Sequence, residues 1–175
     1  MMQETIQENK MREISVEKIS LNCGTGGPGP MLEKSLKLLE KLSGMKAVST
    51  KSNKRIPTWN VRPGLEIGCR VTVRGKKAIE LLKTILKGRK NELKESSFDN
   101  NGNVAFGIKE YLDIPGIEYD PDIGIIGFEI AITLQRKGFR IRRRAYRKKR
   151  IPASHKILKK DAVEFMKAKF GVKII

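Results

Sequence analysis

The stretch IGCRVTVR at residues 67–74, followed directly by GKKAIELLKTILKG at 75–88, decides the fold class of this chain. In the first part, apolar side chains alternate with small, polar or basic ones, which is the pattern of a strand with one buried face. In the second part, apolar side chains recur every three or four positions, as on an amphipathic helix. A strand that leads straight into such a helix predicts a sheet with a helix packed on one face.

The same two patterns recur before and after this stretch. We predict further strands at 14–23, 47–50, 103–111 and 128–136, and further helices at 31–43 and 158–170, with Gly44 and Gly171 at the helix ends. This order predicts an α+β fold of the split βαβ type, in which a mostly antiparallel sheet has its helices packed on one face. The length of 175 residues fits one domain over 13–175, with a basic segment at 136–152 and a C-terminal helix, after a flexible N-terminal arm at 1–12.

Charge is the feature that points to function. The chain has 37 Lys and Arg against 19 Asp and Glu, and RKGFRIRRRAYRKKR at 136–150 has ten basic residues in fifteen and no acid. Such a density of like charge is unfavourable unless an anion lies against it, and a nucleic acid backbone offers a regular line of phosphates. We therefore expect RNA phosphate contacts from Arg140, Arg142, Arg143, Arg144, Arg147, Lys148, Lys149 and Arg150. The alternative is a solvated basic segment that orders only on its partner.

Other classes of protein are disfavoured by composition. The absence of a signal peptide and of a long apolar run predicts a cytoplasmic protein with reduced cysteines and no membrane partner. Two distant cysteines, Cys23 and Cys69, and the single histidine are too few ligands for a zinc site, so we expect no metal and no cofactor. His155 is the only histidine available as a general base, and its basic surroundings favour a surface or RNA-facing position instead.

The open face of the predicted sheet has a composition of its own. Its outward positions are small, polar or basic: Ser20, Asn22, Gly68, Arg70, Thr72, Arg74, Ala105, Gly107, Ala131 and Thr133. Such a face is flat enough to approach a sugar–phosphate backbone and its 2′-hydroxyl groups. An ordinary solvated face has a similar composition, so both interpretations stay open on the pattern alone.

A basic loop at 51–64 carries the only tryptophan. Lys51, Lys54, Arg55 and Arg62 surround Trp59 among turn-forming residues. Cations around one aromatic side chain suit phosphate contacts combined with a stacking contact. Trp59 is expected to be exposed, because its neighbours in sequence are not typical of a core.

The segment GTGGPG at 24–29 formally matches the G-x-G-x-x-G fingerprint of nucleotide-binding folds, and it lies between a predicted strand and a predicted helix. A nucleotide-binding enzyme is therefore an alternative. Pro28 and Pro30 weaken it, because each removes a backbone N–H that a phosphate cradle would use. The chain also shows no cluster of histidine, cysteine and acids for catalysis, so a catalytic site is not expected.

Four segments resemble the large-subunit ribosomal protein of universal family five. They are LEKLSGMKAVSTKS at 39–52, IGCRVTVRG at 67–75, SFDNNGNVAFGIKE at 97–110 and YDPDIGIIGFEI at 119–130. The resemblance extends over residues 11–170, and the YDPDIGI segment and the SHK-containing C-terminal extension are similar to the archaeal and eukaryotic branch of the family.

The resemblance implies a structural, ribosome-bound protein whose sheet surface and loops hold 5S rRNA in the central protuberance. It implies RNA contacts at Asn22, Trp59 and Thr72, to which the open face adds Arg70 and Arg74. It also implies that the 51–64 loop reaches the P-site tRNA, that large-subunit rRNA is a partner, and that the small-subunit protein of family thirteen is contacted across an intersubunit bridge. A general basic RNA chaperone is a further alternative, and it would bind unrelated structured RNAs equally well.

Overall fold

A computed structural model of the chain describes residues 9–175. The strands are β1 (Ile14–Gly24), β2 (Val48–Lys51), β3 (Glu66–Arg74), β4 (Glu92–Leu93), β5 (Val104–Ile108), β6 (Phe128–Arg136) and β7 (Lys173–Ile174), and the helices are α1 (Pro30–Ser43), α2 (Lys76–Gly88) and α3 (Lys159–Phe170). The main sheet has the order β2-β3-β1-β6-β5, and every neighbouring pair in it is antiparallel. Strands β4 and β7 form a separate two-stranded parallel ladder. The predicted α+β class and the predicted elements are confirmed.

The predicted N-terminal arm is only partly covered. Residues 1–8 lie outside the described residues, and the flexibility of the arm stays a prediction. Where the description begins, the Arg12 N–H donates to the Asn9 carbonyl at 2.8 Å and forms a turn before β1.

One face of the main sheet carries the core. Helix α1 packs on β3, and helix α2 packs on both β1 and β3. Fully buried side chains from both layers meet here, including Ile19, Leu21, Val73, Leu38, Leu39, Leu82 and Ile85. Because both helices lie on this side, the opposite side of β1, β3, β5 and β6 is left open, as predicted.

Strand β1 contains a bulge at Glu17. Val16 pairs with Leu134 of β6, but Lys18 pairs with Thr133, so Glu17 is an extra residue between them. The bulge reverses the alternation of the strand: Val16 is turned to the core before it and Ile19 after it. The Glu17 side chain is buried, beside the Lys18–Arg74 pair that ends the β1–β3 ladder.

The basic segment 136–150 is folded onto the domain. Its backbone closes on itself where the Lys149 N–H donates to the Ile141 carbonyl at 3.2 Å. Phe139 lies within the segment and Ile151 directly after it, and both are buried in the core. The charge of the segment is therefore displayed from a loop that packs on the domain, and ordering only on a partner stays the alternative.

His155 belongs to the anchoring of this segment. Its ring packs edge-on against Phe139, with ring centroids 5.7 Å apart, and its Nε2 lies 2.9 Å from the Lys137 carbonyl oxygen. The side chain is partly buried. These contacts add a packing role to its position at the surface, and contact with RNA stays a prediction.

Candidate nucleic-acid interface

The open face of the sheet is ordered into three cross-strand rows. The register of the strands aligns Gly107, Glu129, Asn22 and Arg70 in the first row, Ala105, Ala131, Ser20 and Thr72 in the second, and Thr133, Lys18 and Arg74 in the third. Neighbouring strands lie about 4.8 Å apart, so the four strands make a patch roughly 14 Å wide. All predicted face residues except Gly68 belong to these rows; Gly68 is buried opposite Gly24 at the sheet end.

The second row has the shortest side chains of this face. Its four members are two alanines, one serine and one threonine, and none has a side chain longer than three heavy atoms. A shallow depression of about 670 Å³ opens over this part of the sheet, lined among others by Ser20, Ala105 and Ala131. A backbone can approach closely where side chains are short, and the hydroxyl groups at its edge can pair with sugar hydroxyls or phosphate oxygens.

Cations stand at the edge of this depression. Arg70 lies in the first row on β3, next to Val48 of the edge strand β2. It is exposed and forms none of the ion pairs found within residues 9–175. Arg74 ends the third row, and its Nη1 lies 3.4 Å from Glu17 Oε1 while its side chain stays 56% exposed. Arg74 is therefore held in position by the buried carboxylate, with its remaining N–H donors available to a phosphate.

Glu129 also lies on the open face, although it was not among the residues predicted for that face. It is exposed in the first row, where the Asn22 side-chain amide donates to its Oε2 at 3.4 Å. Among the ion pairs of residues 9–175, none involves Glu129. The alternation of β6 already puts Glu129 on the outward side, so an outward charge count for each strand would have found it.

The loop between β2 and β3 is a small hairpin. Ile56 and Val61 exchange both backbone hydrogen bonds, at 2.9 and 3.1 Å, and the base is closed by the Ser52 N–H bonded to the Leu65 carbonyl at 2.8 Å. Val61 is buried, which fixes the hairpin against the domain. The 51–64 region thus projects as a defined tip.

Trp59 lies at this tip, in a short turn that ends at Asn60 in the left-handed conformation. Its side chain is 72% exposed, as predicted. The structure groups Trp59 with the loop cations, at a place apart from the three rows of the open face. Of those cations, Lys51 lies 3.8 Å from Glu66 at the base of the hairpin, whereas Lys54, Arg55 and Arg62 are exposed and take no part in the ion pairs of the described chain, residues 9–175.

The eight predicted cations of the basic segment fall into two groups. Arg143 bonds Glu17 and reaches Gln135 Oε1 at 3.2 Å, and Arg144 donates to the Arg147 carbonyl at 2.8 and 3.0 Å. Arg147 lies over the Tyr146 ring at 5.1 Å. The other five have no ion pair with the acids of residues 9–175 and are exposed: Arg140, Arg142, Lys148, Lys149 and Arg150. The first group orders the segment, and the second group presents its charge to solvent.

The glycine loop does not have the form of a phosphate cradle. The N–H groups of Thr25 and Gly26 both donate to the Ile67 carbonyl, at 3.0 and 3.1 Å, and so are already engaged. Helix α1 begins at Pro30, which has no N–H to offer. The loop is thus a strand-to-helix turn anchored to β3.

Residues 9–175 contain neither a cluster of metal ligands nor a helix suited to span a membrane. No group of three His, Cys, Asp or Glu side chains is close enough there to hold a metal ion. None of the helices in that range is both long enough and apolar enough to cross a membrane.

Comparison with known families covers almost the whole chain. The family model described as "Ribosomal protein L5" matches residues 9–62, and the model for the C-terminus of the same ribosomal protein family matches residues 66–165. This chain belongs to the ribosomal protein L5 family. The resemblance to universal family five is confirmed.

Individual relatives of the family agree with this assignment. The large ribosomal subunit protein uL5 of Sulfolobus acidocaldarius is 45% identical, over 99% of this chain and 98% of that protein. The uL5 of Sulfurisphaera tokodaii is 46% identical over 99% of each chain, and that of Nanoarchaeum equitans is 42% identical over 96% of this chain and 99% of its own. These relatives support the archaeal-type branch of the family and a ribosome-bound, cytoplasmic localisation. They do not favour the alternative of a nucleotide-binding enzyme.

Proposed function

We propose that this ribosomal protein of the large subunit binds 5S rRNA with its open face and attaches it in the central protuberance. The observation that carries the proposal is the arrangement of the three rows. A central row of short side chains is bordered by Arg70 and Arg74, and Asn22 and Thr72 offer uncharged hydrogen-bonding groups between them. Such a surface suits RNA that is recognised by its shape and its 2′-hydroxyl groups.

We further propose that the hairpin tip contacts the P-site tRNA. Trp59 and the cations Lys54, Arg55 and Arg62 are all exposed, and they combine an aromatic ring with phosphate-binding groups on a projecting element. An aromatic ring stacks on any base, whereas cations bind any phosphate, so this tip does not require a particular sequence. The basic segment would bind phosphates of large-subunit rRNA. Contact with the small-subunit protein of family thirteen stays a prediction, without a residue assigned to it.

A competition experiment tests the 5S assignment. Labelled 5S rRNA is bound to the full chain at about physiological salt, where nonspecific Kd values are typically ~10⁻⁴–10⁻⁶ M. Excess tRNA and an unrelated structured RNA then compete with it. Retention of 5S rRNA supports a specific site on the open face.

The outcome also separates the rival functions. Equal displacement by every RNA would support a general basic RNA chaperone instead. Binding of ATP, GTP or NAD in equilibrium dialysis would revive the nucleotide-binding alternative, for which the engaged N–H groups of Thr25 and Gly26 offer no support.

A further inference from the structure

A cleft of about 260 Å³ lies apart from both the open face and the hairpin tip. Three separate parts of the chain form it: the turn around Asn101, the start of the basic segment, and residues 150–157. The cations at its walls are Arg142, Arg150 and Lys156, and its floor consists of Phe139, Ile151 and Ile157. The floor residues are buried, whereas the cations and Asn101 are exposed.

The cleft is strongly positive. Within residues 9–175, no acid lines it and none of its three cations takes part in an ion pair. Asp99 is near in sequence to Asn101, but its carboxylate accepts from the side-chain amides of Asn103 at 3.1 Å and of Asn101 at 3.4 Å. The Asn103 hydrogen bond, followed by that of the Asn101 backbone N–H, holds the pKa of Asp99 below its usual value. Three cations around one small space attract an anion.

The walls of the cleft are held by close packing. Gly102 has φ +76°, and a Cβ there would lie 2.5 Å from Ile157 Cγ2, so the turn is pressed directly onto the floor. The turn is closed by the Gly102 N–H bonded to the Asp99 carbonyl at 3.0 Å. On the other side, the Lys149–Ile141 backbone hydrogen bond fixes the loop that carries Arg142 and Arg150. Contacts within the chain therefore define the shape of the cleft.

We propose that this cleft binds a single unstacked nucleotide of ribosomal RNA. Its phosphate would lie between Arg142, Arg150 and Lys156, and its base would lie on the apolar floor. The cleft is too small for stacked, paired RNA, but single-stranded RNA can splay out one base and place it on an aromatic side chain. The amide of Asn101 is both donor and acceptor at the rim, where a base edge would be within its reach. This inference rests on the proposed function, because it requires that the protein binds RNA.

The test uses two double variants of the full chain that remove the same amount of charge. Arg142→Gln with Arg150→Gln removes two cations of the cleft, and Lys148→Gln with Lys149→Gln removes two cations of the same segment outside it. Each is bound to 5S rRNA and, separately, to large-subunit rRNA, and unpaired bases are probed with dimethyl sulfate and carbodiimide. We expect the wild type to protect one unpaired base that the arginine variant leaves unprotected and the lysine variant still protects. The salt dependence should fall similarly in both, by about 0.7–0.9 for each phosphate that is no longer neutralised.

A third variant separates the contribution of the apolar floor to binding from that of the cations. Asn101→Met keeps the net charge and puts a longer apolar side chain without a ring at the rim of the cleft. It should abolish the protection and raise Kd about tenfold with an unchanged salt dependence, because the added side chain takes the space of the base. Equal protection by both double variants, or protection that survives in Asn101→Met, would overturn the proposal.

Two further measurements test what the cleft recognises and separate the inference from the proposed function. Release of the protected base by millimolar AMP or UMP, but not by inorganic phosphate, supports a cleft that binds a nucleotide through both phosphate and base; equal release by inorganic phosphate would mean that only a phosphate is bound and would overturn the proposal. Loss of 5S selectivity with intact, cleft-dependent protection in large-subunit rRNA would count against the proposed function and still support the cleft.

Discussion

The guanidinium group of Arg143 forms an ion pair with the carboxylate of Glu17, whose side chain is only 6% exposed. Arg143 belongs to the basic segment, and Glu17 is the extra residue of the β1 bulge. The same carboxylate also lies 3.4 Å from Arg74 on the open face. One buried acid thus connects the basic segment to the sheet surface, so a change at Glu17 should affect both.

Glu17→Gln should loosen the basic segment. Hydrogen bonds to charged groups are stronger than neutral ones, so we expect the free energy of unfolding to fall by about 1–2 kcal/mol. Trypsin should cut within 136–150 faster than in the wild type. The measurements are urea denaturation and limited proteolysis. Glu13→Gln is the matched control, because Glu13 pairs with Lys137 of the same segment at 2.9 Å but is exposed; equal effects of both variants would contradict this prediction.

Ala131→Leu should block the approach of RNA to the open face. The new side chain would stand in the middle of the row of short residues, where we propose that the RNA backbone lies. We expect weaker 5S rRNA binding with an unchanged salt dependence, because no charge is altered, and stability within about 0.5 kcal/mol of wild type. Ala168→Leu, at an exposed alanine on α3, should leave binding as it is. Unaltered affinity of the Ala131 variant would remove this row from the interface.

Glu129→Gln should weaken 5S rRNA binding despite removing a negative charge. An exposed carboxylate on an RNA-binding face repels phosphates unless it accepts a hydrogen bond from a base amino group or a 2′-hydroxyl. We expect Kd to rise by about 10- to 100-fold, since a hydrogen bond to a charged group contributes about 1.5–3 kcal/mol. Filter binding across a salt series measures it. Tighter binding of the variant would mean that Glu129 only repels.

Trp59 is the only tryptophan of the chain and reports on the hairpin tip. Iodide should quench its fluorescence efficiently in the free protein, because 72% of the side chain is exposed, and bound RNA should protect it. Trp59→Ala should cost about 1–3 kcal/mol of binding to the RNA that stacks on it, whereas Trp59→Phe should retain much of it. Protection by tRNA in the ribosome but not by 5S rRNA would assign Trp59 to the tRNA contact alone.

Gly102→Ala should destabilise the protein beyond the cost of its backbone conformation. The left-handed conformation costs a residue with a Cβ about 1–2 kcal/mol, and the contact with Ile157 adds a further penalty of about 1–3 kcal/mol. Gly44→Ala supplies the comparison, since Gly44 has φ +61° and nothing within 4 Å of an added Cβ. Urea denaturation of both gives the steric part as the difference. Equal losses would show that the turn can move away from Ile157.

The regular part of the fold could be predicted because its information is local. The alternation in 67–74 and the helical spacing in 75–88 each depend on neighbours within a few positions, and both elements are found there. The bulge at Glu17 was missed although the sequence carries it as a change of phase between Val16 and Ile19. Alternation over four or five residues does not reveal where a strand gains a residue.

The residues on the open face could be predicted from the sequence. Which distant residues lie together in space could not. Strand register follows from alternation, so Asn22 and Thr72 could be assigned to one face. The pairing of Glu17 with Arg143 joins residues 126 positions apart, and the cleft joins three segments. Such contacts depend on tertiary packing. Counting charges along the sequence does not predict which distant segments meet.

The anchored basic segment has a thermodynamic consequence for assembly. Fixing the backbone of a residue costs roughly 1–2 kcal/mol of conformational entropy at 25 °C. Because Phe139, Ile151 and the Glu17–Arg143 pair fasten the segment to the domain through contacts within the chain, we expect this cost to belong to folding and not to the assembly of the ribosomal subunit. RNA association should consequently show a small heat-capacity change, in contrast to basic tails that fold on their target.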